Sequence, residues 1–427
     1  MGVPFTFIHA ADLHLDSPFR GLTKTPAAVR DALSEATFVA LQRLTETAIA
    51  ENADFIVIAG DLFDEADRSL KAQLALVREW EKLDRHGVGI YVIHGNHDHL
   101  GGRRAALTLP SNVHIFGAEA VECKPAYRRD GELAAYIYGI SYGERAVTRN
   151  LVPQYSRRED GPYHIAMLHG NVGGDAEHDS YAPCRLDELK QSGFDYWALG
   201  HIHKREILNE AHPCIVYPGN TQGRNPRERG VKGCYVARVG EDGLAELAFS
   251  PLGPVLWEVA ELSIAGAETE QELLDQLMKL ADDIGGQSGG RPVMLRLILN
   301  GRGALHGELA EQTAAAALLE SLQRELEPAQ GEAWVYIYSL EIETGAMTDW
   351  QALLQEDSFA GELYRLGMQL EANEEEWRRF ASSALGELAS HGKLGRRSRE
   401  LREALPLRLL EEARELAVQL TAGRRNE

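Results

Sequence analysis

Residues 5–16 read FTFIHAADLHLD. An apolar run, Phe5–Ala10, gives way within two residues to Asp12 and His14. The same switch recurs four more times along the first half of the chain. Phe55–Ala59 (FIVIA) leads into Asp61 in IAGDLFD. Gly89–His94 (GIYVIH) leads into Asn96, His97 and Asp98 in IHGNHD. His164–His169 (HIAMLH) ends on His169, and Tyr196–Gly200 (YWALG) is followed by His201 and His203. Short apolar runs bounded by Gly and polar residues read as buried strands. Amphipathic stretches at about 27–51 and 69–85 lie between the early ones. Strands alternating with helices predict an α/β layered core. Further strands at Val113–Phe116, Ala135–Ser141, Ile215–Tyr217, Cys234–Val239 and Leu244–Phe249 complete a layered α-β-β-α arrangement, two sheets between helices.

Five strand ends thus each carry a metal-type ligand. In open α/β sheets, ligands gather outside the carboxyl ends of the strands, so these residues are expected to converge. Imidazole with carboxylate suits manganese, iron, zinc or similar ions. No cysteine belongs to the set, which argues against a closed structural zinc site. A bridging carboxylate can hold two ions that polarise a phosphoryl oxygen and activate a water. Gly60, Gly95, Gly170 and Gly200 flank the ligands and permit sharp turns and close approach. Each fragment alone is weak, because a single His is more often a satisfied core or surface group. Five in order, each at a strand end, point to one site. His9, His94, His99 and His164 fall outside the spacing, and His9 and His94 read as packing groups or as supports for the ligands.

The 427 residues include 44 Lys/Arg and 65 Asp/Glu, a net charge of −21, which argues against a general nucleic-acid coat. The acidity is uneven: residues 1–250 carry 27 basic and 34 acidic groups, residues 251–427 carry 17 and 31. The acidity does not exclude a nucleic-acid substrate, but any contact surface must be local. Arg103 and Arg104 follow the GNHD turn, and Arg224, Arg227 and Arg229 follow YPGN at 217–220, so these are candidate phosphate contacts as well as ordinary solvated arginines. Cys123, Cys184, Cys214 and Cys234 are scattered, which fits a reducing cytoplasm rather than a disulfide framework. No stretch approaches the ~20 apolar residues of a membrane span, and no signal peptide is expected.

A break near PLGP at 251–254 divides the chain. Val255–Ile264, 268–284, Val293–Asn300, 307–327 and Trp334–Ile342 read as strand, helix, strand, helix, strand, a small α/β unit. From Met347 onward the pattern is helical and charged, and the last helix, about 406–421, places Leu409, Leu410, Ala413, Leu416, Ala417 and Leu420 on one face. The expected divisions are 1–252, 253–345 and 346–427.

The order D-x-H, G-D, G-N-H-D, isolated His and G-H-x-H resembles the calcineurin-like metallophosphoesterases. ADLHLD, GDLFD and YPGNTQGR are similar to SbcD-type DNA repair exonucleases, in their YhaO-like branch. The resemblance covers about residues 4–250 and extends more weakly to 255–345, which is similar to that family's capping domain. It implies a manganese-dependent nuclease with two Mn²⁺ per chain, magnesium or another divalent metal being a poorer substitute. It implies Asp12, His14, Asp61 and His203 on one ion and Asp61, Asn96, His169 and His201 on the other. His97 is implied to protonate the leaving oxygen or steady the scissile phosphate, with Asp98 orienting it. Some relatives have a histidine where this chain has Asp64. DNA, an SMC-like ATPase docked on the C-terminal helices, and a homodimer through helices near 69–110 are the implied partners. A phosphatase or small phosphodiester hydrolase shares the same fold, so fold alone does not choose. A silent protein-binding scaffold predicts lost ligands, and every expected ligand is present.

Overall fold

The computed structural model describes residues 3–17, 25–64, 69–102, 107–173, 181–327, 333–347, 349–384 and 407–422. Strands β1 (Phe5–Ala10), β2 (Phe55–Ala59), β3 (Gly89–Ile93) and β4 (Val113–Ile115) lie parallel, with helix α1 (Ala27–Ala50) after β1 and α2 (Leu70–Arg85) after β2. The chain then builds a second sheet from β5 (Glu122–Tyr127), β6 (Leu133–Gly139), β7 (His164–His169), β8 (Tyr196–Gly200), β9 (Glu206–Asn209) and β10 (Cys214–Tyr217), in the order β5–β6–β7–β8–β10–β9. Helix α3 (Leu186–Gln191) precedes β8. Strands β11 (Gly233–Val239) and β12 (Ala245–Pro251) return antiparallel to the first sheet, whose order is β12–β11–β1–β2–β3–β4.

Alternation along β1 explains the layering. Phe5 and Phe7 enter the core between the two sheets, while Ile8 and Ala10 face the helical layer. Phe7 stacks on Phe55 with ring centroids 5.5 Å apart and meets Tyr196 of the second sheet edge-on at 5.1 Å. His9 shares the inter-sheet side, and its ring lies 3.0 Å from the Tyr196 hydroxyl and 3.1 Å from the Leu199 carbonyl. A carbonyl only accepts, so Nε2 donates to Leu199 and Nδ1 accepts from Tyr196. This buried imidazole therefore ties the sheets together beside the ligand-bearing ends.

Helix α1 buries Ala40, Leu41, Leu44 and Ala48 against the first sheet. Its earlier turns bury Val29, Leu33 and Ala36 against Trp257, Met294 and Trp334. The Ser69 hydroxyl accepts from Ala72 N at 3.0 Å and caps α2, which ends with Lys82 and Arg85 facing the negative end of the helix dipole. The sequence did not announce β5 and β9, which are the two edges of the second sheet.

Beyond Pro251 come β13 (Leu256–Ser263), α4 (Glu270–Gln287), β14 (Val293–Asn300), α5 (His306–Leu309), α6 (Gln312–Glu325) and β15 (Val335–Ile342). The strands form a sheet in the order β13–β14–β15. The single helix expected at 307–327 is two helices, α5 and α6. Then follow α7 (Trp350–Gln355), α8 (Phe359–Ala372), α9 (Glu374–Ala384) and a last helix, α10 (Leu407–Ala422). The chain divides into two compact units. The first comprises Met1–Leu262, Leu274–Ile298 and Ala315–Glu341, the second Ser263–Leu273, Leu299–Ala314 and Ile342–Glu427.

Within the second unit, α10 packs on its own neighbours. Leu410 joins Leu370, Trp377 and Ala381, and Val418 joins Leu353 and Tyr364. Arg414, one turn from each, lays its guanidinium over the Tyr364 ring at 4.7 Å and pairs with Glu371 at 2.6 Å. The inward line is thus Leu410, Arg414 and Val418, the long arginine stem serving as packing surface. Leu416 of the expected face is 56% exposed instead. The side chains of Leu409 and Leu420 lie outside the described residues. None of the described helices is long and apolar enough to cross a membrane.

Candidate metal centre

The loops after β1 and β2 run on side by side once the strands end. Asp12 N donates to Gly60 O at 3.0 Å, His14 N to Asp61 O at 3.0 Å and Leu15 N to Leu62 O at 2.9 Å. Asp12, His14 and Asp61 hold φ values of +53°, +45° and +52°, and His201 one of +96°. Such left-handed backbone at non-glycine residues persists where surroundings over-determine it, commonly at functional sites. Gly95 after β3 and Gly60 after β2 have no room for a Cβ: at Gly95 it would strike Asp61 and His169, at Gly60 the His169 ring.

These turns bring the donors together. His14 Nε2 and His203 Nε2 face each other at 3.1 Å. His203 Nδ1 is fixed by Glu228 Oε1 at 2.9 Å, so its proton sits on Nδ1 and the Nε2 lone pair points at His14. Asp12, His14 and His203 offer one group of ligand atoms within 4.8 Å of one another, and Asp12, Asp61 and His169 a second. Asp61 Oδ2 lies between them, 3.7 Å from His14 Nε2 and 3.4 Å from His169 Nε2. His169 Nδ1 faces the Ala59 carbonyl at 2.9 Å, while its Nε2 lies 2.9 Å from Asn96 Oδ1. His201 anchors Asp12 through its backbone N, 3.1 Å from both carboxylate oxygens, and its ring packs 5.2 Å from that of His169. Asp12, His14, Asp61 and His169 are each no more than 1% exposed.

The electrostatics suit a site that holds a cation. Burial acts to raise the Asp61 carboxyl, but His169 and His14 outweigh it and hold it well below the ordinary range. Burial acts to lower His169, yet Asp61 and then Asp12 push it up to about 9. Burial and then Arg224 push His14 down to about 3, and burial raises Asp12. Two carboxylates sealed from water thus draw one proton onto a histidine whose Nε2 faces Asn96 and Asp61. A divalent ion held here would supply positive charge in place of that proton. The His203 Nε2 lone pair, aimed into the donor group with Asp12 and His14, points the same way.

The neighbouring residues depart from the sequence reading at two points. Asp98 does not orient His97 in the contacts described. Its Oδ2 binds His94 Nδ1 at 2.7 Å and Leu62 N at 2.9 Å, and its Oδ1 accepts from Gly95 N at 2.8 Å. Folding back along the GNHD turn, it braces the turn that carries Asn96 and His97. The His97 ring is held instead by the Asp64 carbonyl, 2.7 Å from Nδ1, and is 35% exposed. Arg224 is the second departure. Its guanidinium is committed to Asp64, to Ser17 Oγ at 3.1 Å and to Glu228 at 3.5 Å, so it stands as a clamp rather than as a free phosphate contact. Arg227 and Arg229 are exposed. Arg103 and Arg104 lie outside the described residues. The sequence reading missed Glu228, which is 25 residues from the His203 it supports, and whose only signal was being the lone acid in RNPRER.

Two α/β sheets with imidazoles and carboxylates converging at the carboxyl ends of parallel strands define a metal-dependent phosphoesterase architecture. Residues 5–205 match the calcineurin-like phosphoesterase family, and residues 257–345 match the middle domain of metallophosphoesterase YhaO. Uncharacterized metallophosphoesterase YhaO of Bacillus subtilis (strain 168) is 43% identical over 341 residues, 79% of this chain and 82% of that protein. The DNA double-strand break repair protein Mre11 of Sulfurisphaera tokodaii is 29% identical over 205 residues, 47% of this chain and 49% of its own. Mre11 of Methanopyrus kandleri is 27% identical over 292 residues, 62% of this chain and 60% of its own. The chain belongs to the calcineurin-like metallophosphoesterases, in a YhaO-like group with Mre11-type relatives at lower identity.

Proposed function

We propose that this metallophosphoesterase is a DNA nuclease, an exonuclease with single-strand endonuclease capacity, that uses two Mn²⁺ ions. The observation that carries the reading is Asp61, whose Oδ2 lies 3.7 Å from one imidazole Nε2 and 3.4 Å from another, the arrangement of a bridging carboxylate. Asp12, His14, Asp61 and His203 would hold one ion; Asp61, Asn96, His169 and His201 the other. Bound ions supply a polarised phosphoryl oxygen and an acidified water. The chain's own groups do the rest. His97 keeps Nδ1 on the Asp64 carbonyl and stays 35% exposed, which leaves Nε2 for giving a proton to the leaving oxygen. Asp98 holds the turn that aims it. Exposed Arg227 is a candidate for the phosphate backbone, together with Arg103 and Arg104. Mre11-type relatives favour DNA over a smaller ester. In this reading residues 1–252 are catalytic, 253–345 cap the site, and 346–427 dock an SMC-like ATPase in the cytoplasm, with a homodimer formed through the region near 69–110.

The test is hydrolysis of end-labelled single- and double-stranded DNA with Mn²⁺, beside Asp61→Ala. Degradation by the wild type and none by the variant is the expected result, and the product ladder then gives polarity. Unchanged activity and metal content in Asp61→Ala would overturn the mechanism. Hydrolysis of bis-p-nitrophenyl phosphate without any DNA cleavage would move the assignment to a small phosphodiester, or make the ATPase partner obligatory.

A further inference from the structure

Arg224 sits in the loop after β10, 12% exposed, between two carboxylates that have no part in the donor groups around Asp12 and Asp61. On one side is Asp64, which follows the Asp61 turn. Its Oδ1 lies 3.2 Å from His14 Nδ1, and its backbone carbonyl holds His97 Nδ1. On the other side is Glu228, whose Oε1 holds His203 Nδ1 at 2.9 Å. Glu228 Oε2 also accepts from Arg224 N at 2.8 Å and from Asn220 Nδ2 at 2.7 Å, and Oε1 accepts from Asn225 Nδ2 at 2.9 Å. The backbone of Arg224 and its guanidinium therefore grip the same carboxylate, while the other arm of the fork reaches Asp64 and Ser17.

We propose that Arg224 is a positioning residue of the metal centre: its planar fork joins Asp64 to Glu228 and so fixes His14, His97 and His203 in register. The physical case rests on distribution of charge and on geometry. Asp64 and Glu228 are 18% and 10% exposed, so each needs a partner. A guanidinium offers five N–H donors in a rigid plane and can serve both at once. The two ends of the clamp come from separate loops, one after β2 and one crossing from β10 of the second sheet to β11 of the first. The facing His14 and His203 nitrogens follow β1 of the first sheet and β8 of the second. A link between these loops holds their 3.1 Å separation. Without Arg224, Asp64 would be left beside His14 and His97, with which it already forms a third group of ligand atoms within 4.8 Å. A carboxylate free to swing there competes for the ion in the wrong geometry.

The inference rests on the metal-centre reading above, and titration of Mn²⁺ into the metal-stripped full chain separates the two. Removing a cation near the site would by Coulomb's law tighten Mn²⁺ binding. Removing a clamp weakens it, because losing an outer support of a ligand lowers metal affinity by about 10–100-fold. Arg224→Gln is therefore expected to bind Mn²⁺ about tenfold more weakly. Glu228→Gln should behave alike, and the double variant no worse than Glu228→Gln alone. Arg224→Lys keeps the charge and loses the fork; it too should bind more weakly, and it decides the matter if Arg224→Gln does not fold. Equal or tighter Mn²⁺ binding by both Arg224 variants, with only KM for DNA raised, would overturn the clamp and return Arg224 to a phosphate contact. No Mn²⁺ binding by the wild type would sink the metal-centre reading itself.

Discussion

A single methyl group tests how tightly the centre is built. Gly95 lies where a Cβ would meet Asp61 Oδ1 and His169 Nε2. Gly95→Ala must push the Asp61 carboxylate or the His169 imidazole aside, and displacements near 1 Å in a catalytic site cost about 100-fold in rate. Hydrolysis of bis-p-nitrophenyl phosphate should fall by at least that factor while far-ultraviolet circular dichroism stays unchanged. Retention of wild-type rate would show that the turn is slack. His9 provides a pH test. Burial lowers its pKa to about 3, while in the unfolded chain it returns near 6.5. The folded state then binds fewer protons than the unfolded state between those values, so stability is full above about pH 6.5 and drains as pH falls. By pH 5 the loss is about 2 kcal/mol. Urea unfolding of metal-free wild type and His9→Asn at pH 7 and 5 should show a steeper decline in the wild type by that amount; parallel declines would remove His9 as the cause. The residues that gather at the candidate centre were legible because each interrupts an apolar run at a strand end. Asp98 was misassigned because chain adjacency does not place side chains together: the GNHD turn folds Asp98 back on His94, four residues earlier. Glu228 was invisible because its partner is 25 residues away.

Strands buried on both faces were displayed most plainly by the sequence, although the half-buried edges β4 and β12 were also anticipated. Strands β1, β2, β7 and β8 are sealed along nearly their whole length, and their continuous apolar runs say so. Edge strands carry no such signature. β5 reads ECKPAY, with Pro125, Lys124 and Glu122, and buries only Ala126, as suits an edge that must not recruit another strand. In the tail, helical periodicity was visible but the inward line was not, because Arg414 takes a position that hydrophobicity assigns to leucine. The tail's packing makes a test of its own. Trp377 is 7% exposed against Leu370, Ala381 and Leu410. Truncating such an aromatic costs about 3–5 kcal/mol. Trp377→Ala should accelerate hydrogen exchange in α8 and α10 by orders of magnitude, with hydrolysis of a small phosphodiester unaltered. Unchanged exchange would mean that α10 is held by something other than this cluster.

The two compact units give the whole molecule a way to report its metal. All the candidate ligand residues belong to the first unit, and Leu353, Tyr364, Trp377 and Leu410 to the second. An ion that binds only the folded centre stabilises it by RT ln(1 + [L]/Kd), about 2.7 kcal/mol at a hundredfold excess over Kd. The stabilisation belongs to the unit that holds the site, so scanning calorimetry with Mn²⁺ or with EDTA should move one transition and leave the other. Acidity adds a second axis. His169, pushed up to about 9, carries a proton in the metal-free fold. Its folded pKa exceeds the unfolded value near 6.5, so that proton stabilises the metal-free form fully below pH 6.5 and is lost as pH rises through 9. A divalent ion taking the His169 nitrogen would have to displace that proton, at about 1.4 kcal/mol for each pH unit below 9. The metal-dependent shift should therefore be small at pH 6, larger at pH 7.5 and largest near pH 9. A shift that is independent of pH would mean that His169 does not take part in binding the ion. Equal shifts of both transitions would mean that the stabilisation is not confined to the unit that holds the candidate site.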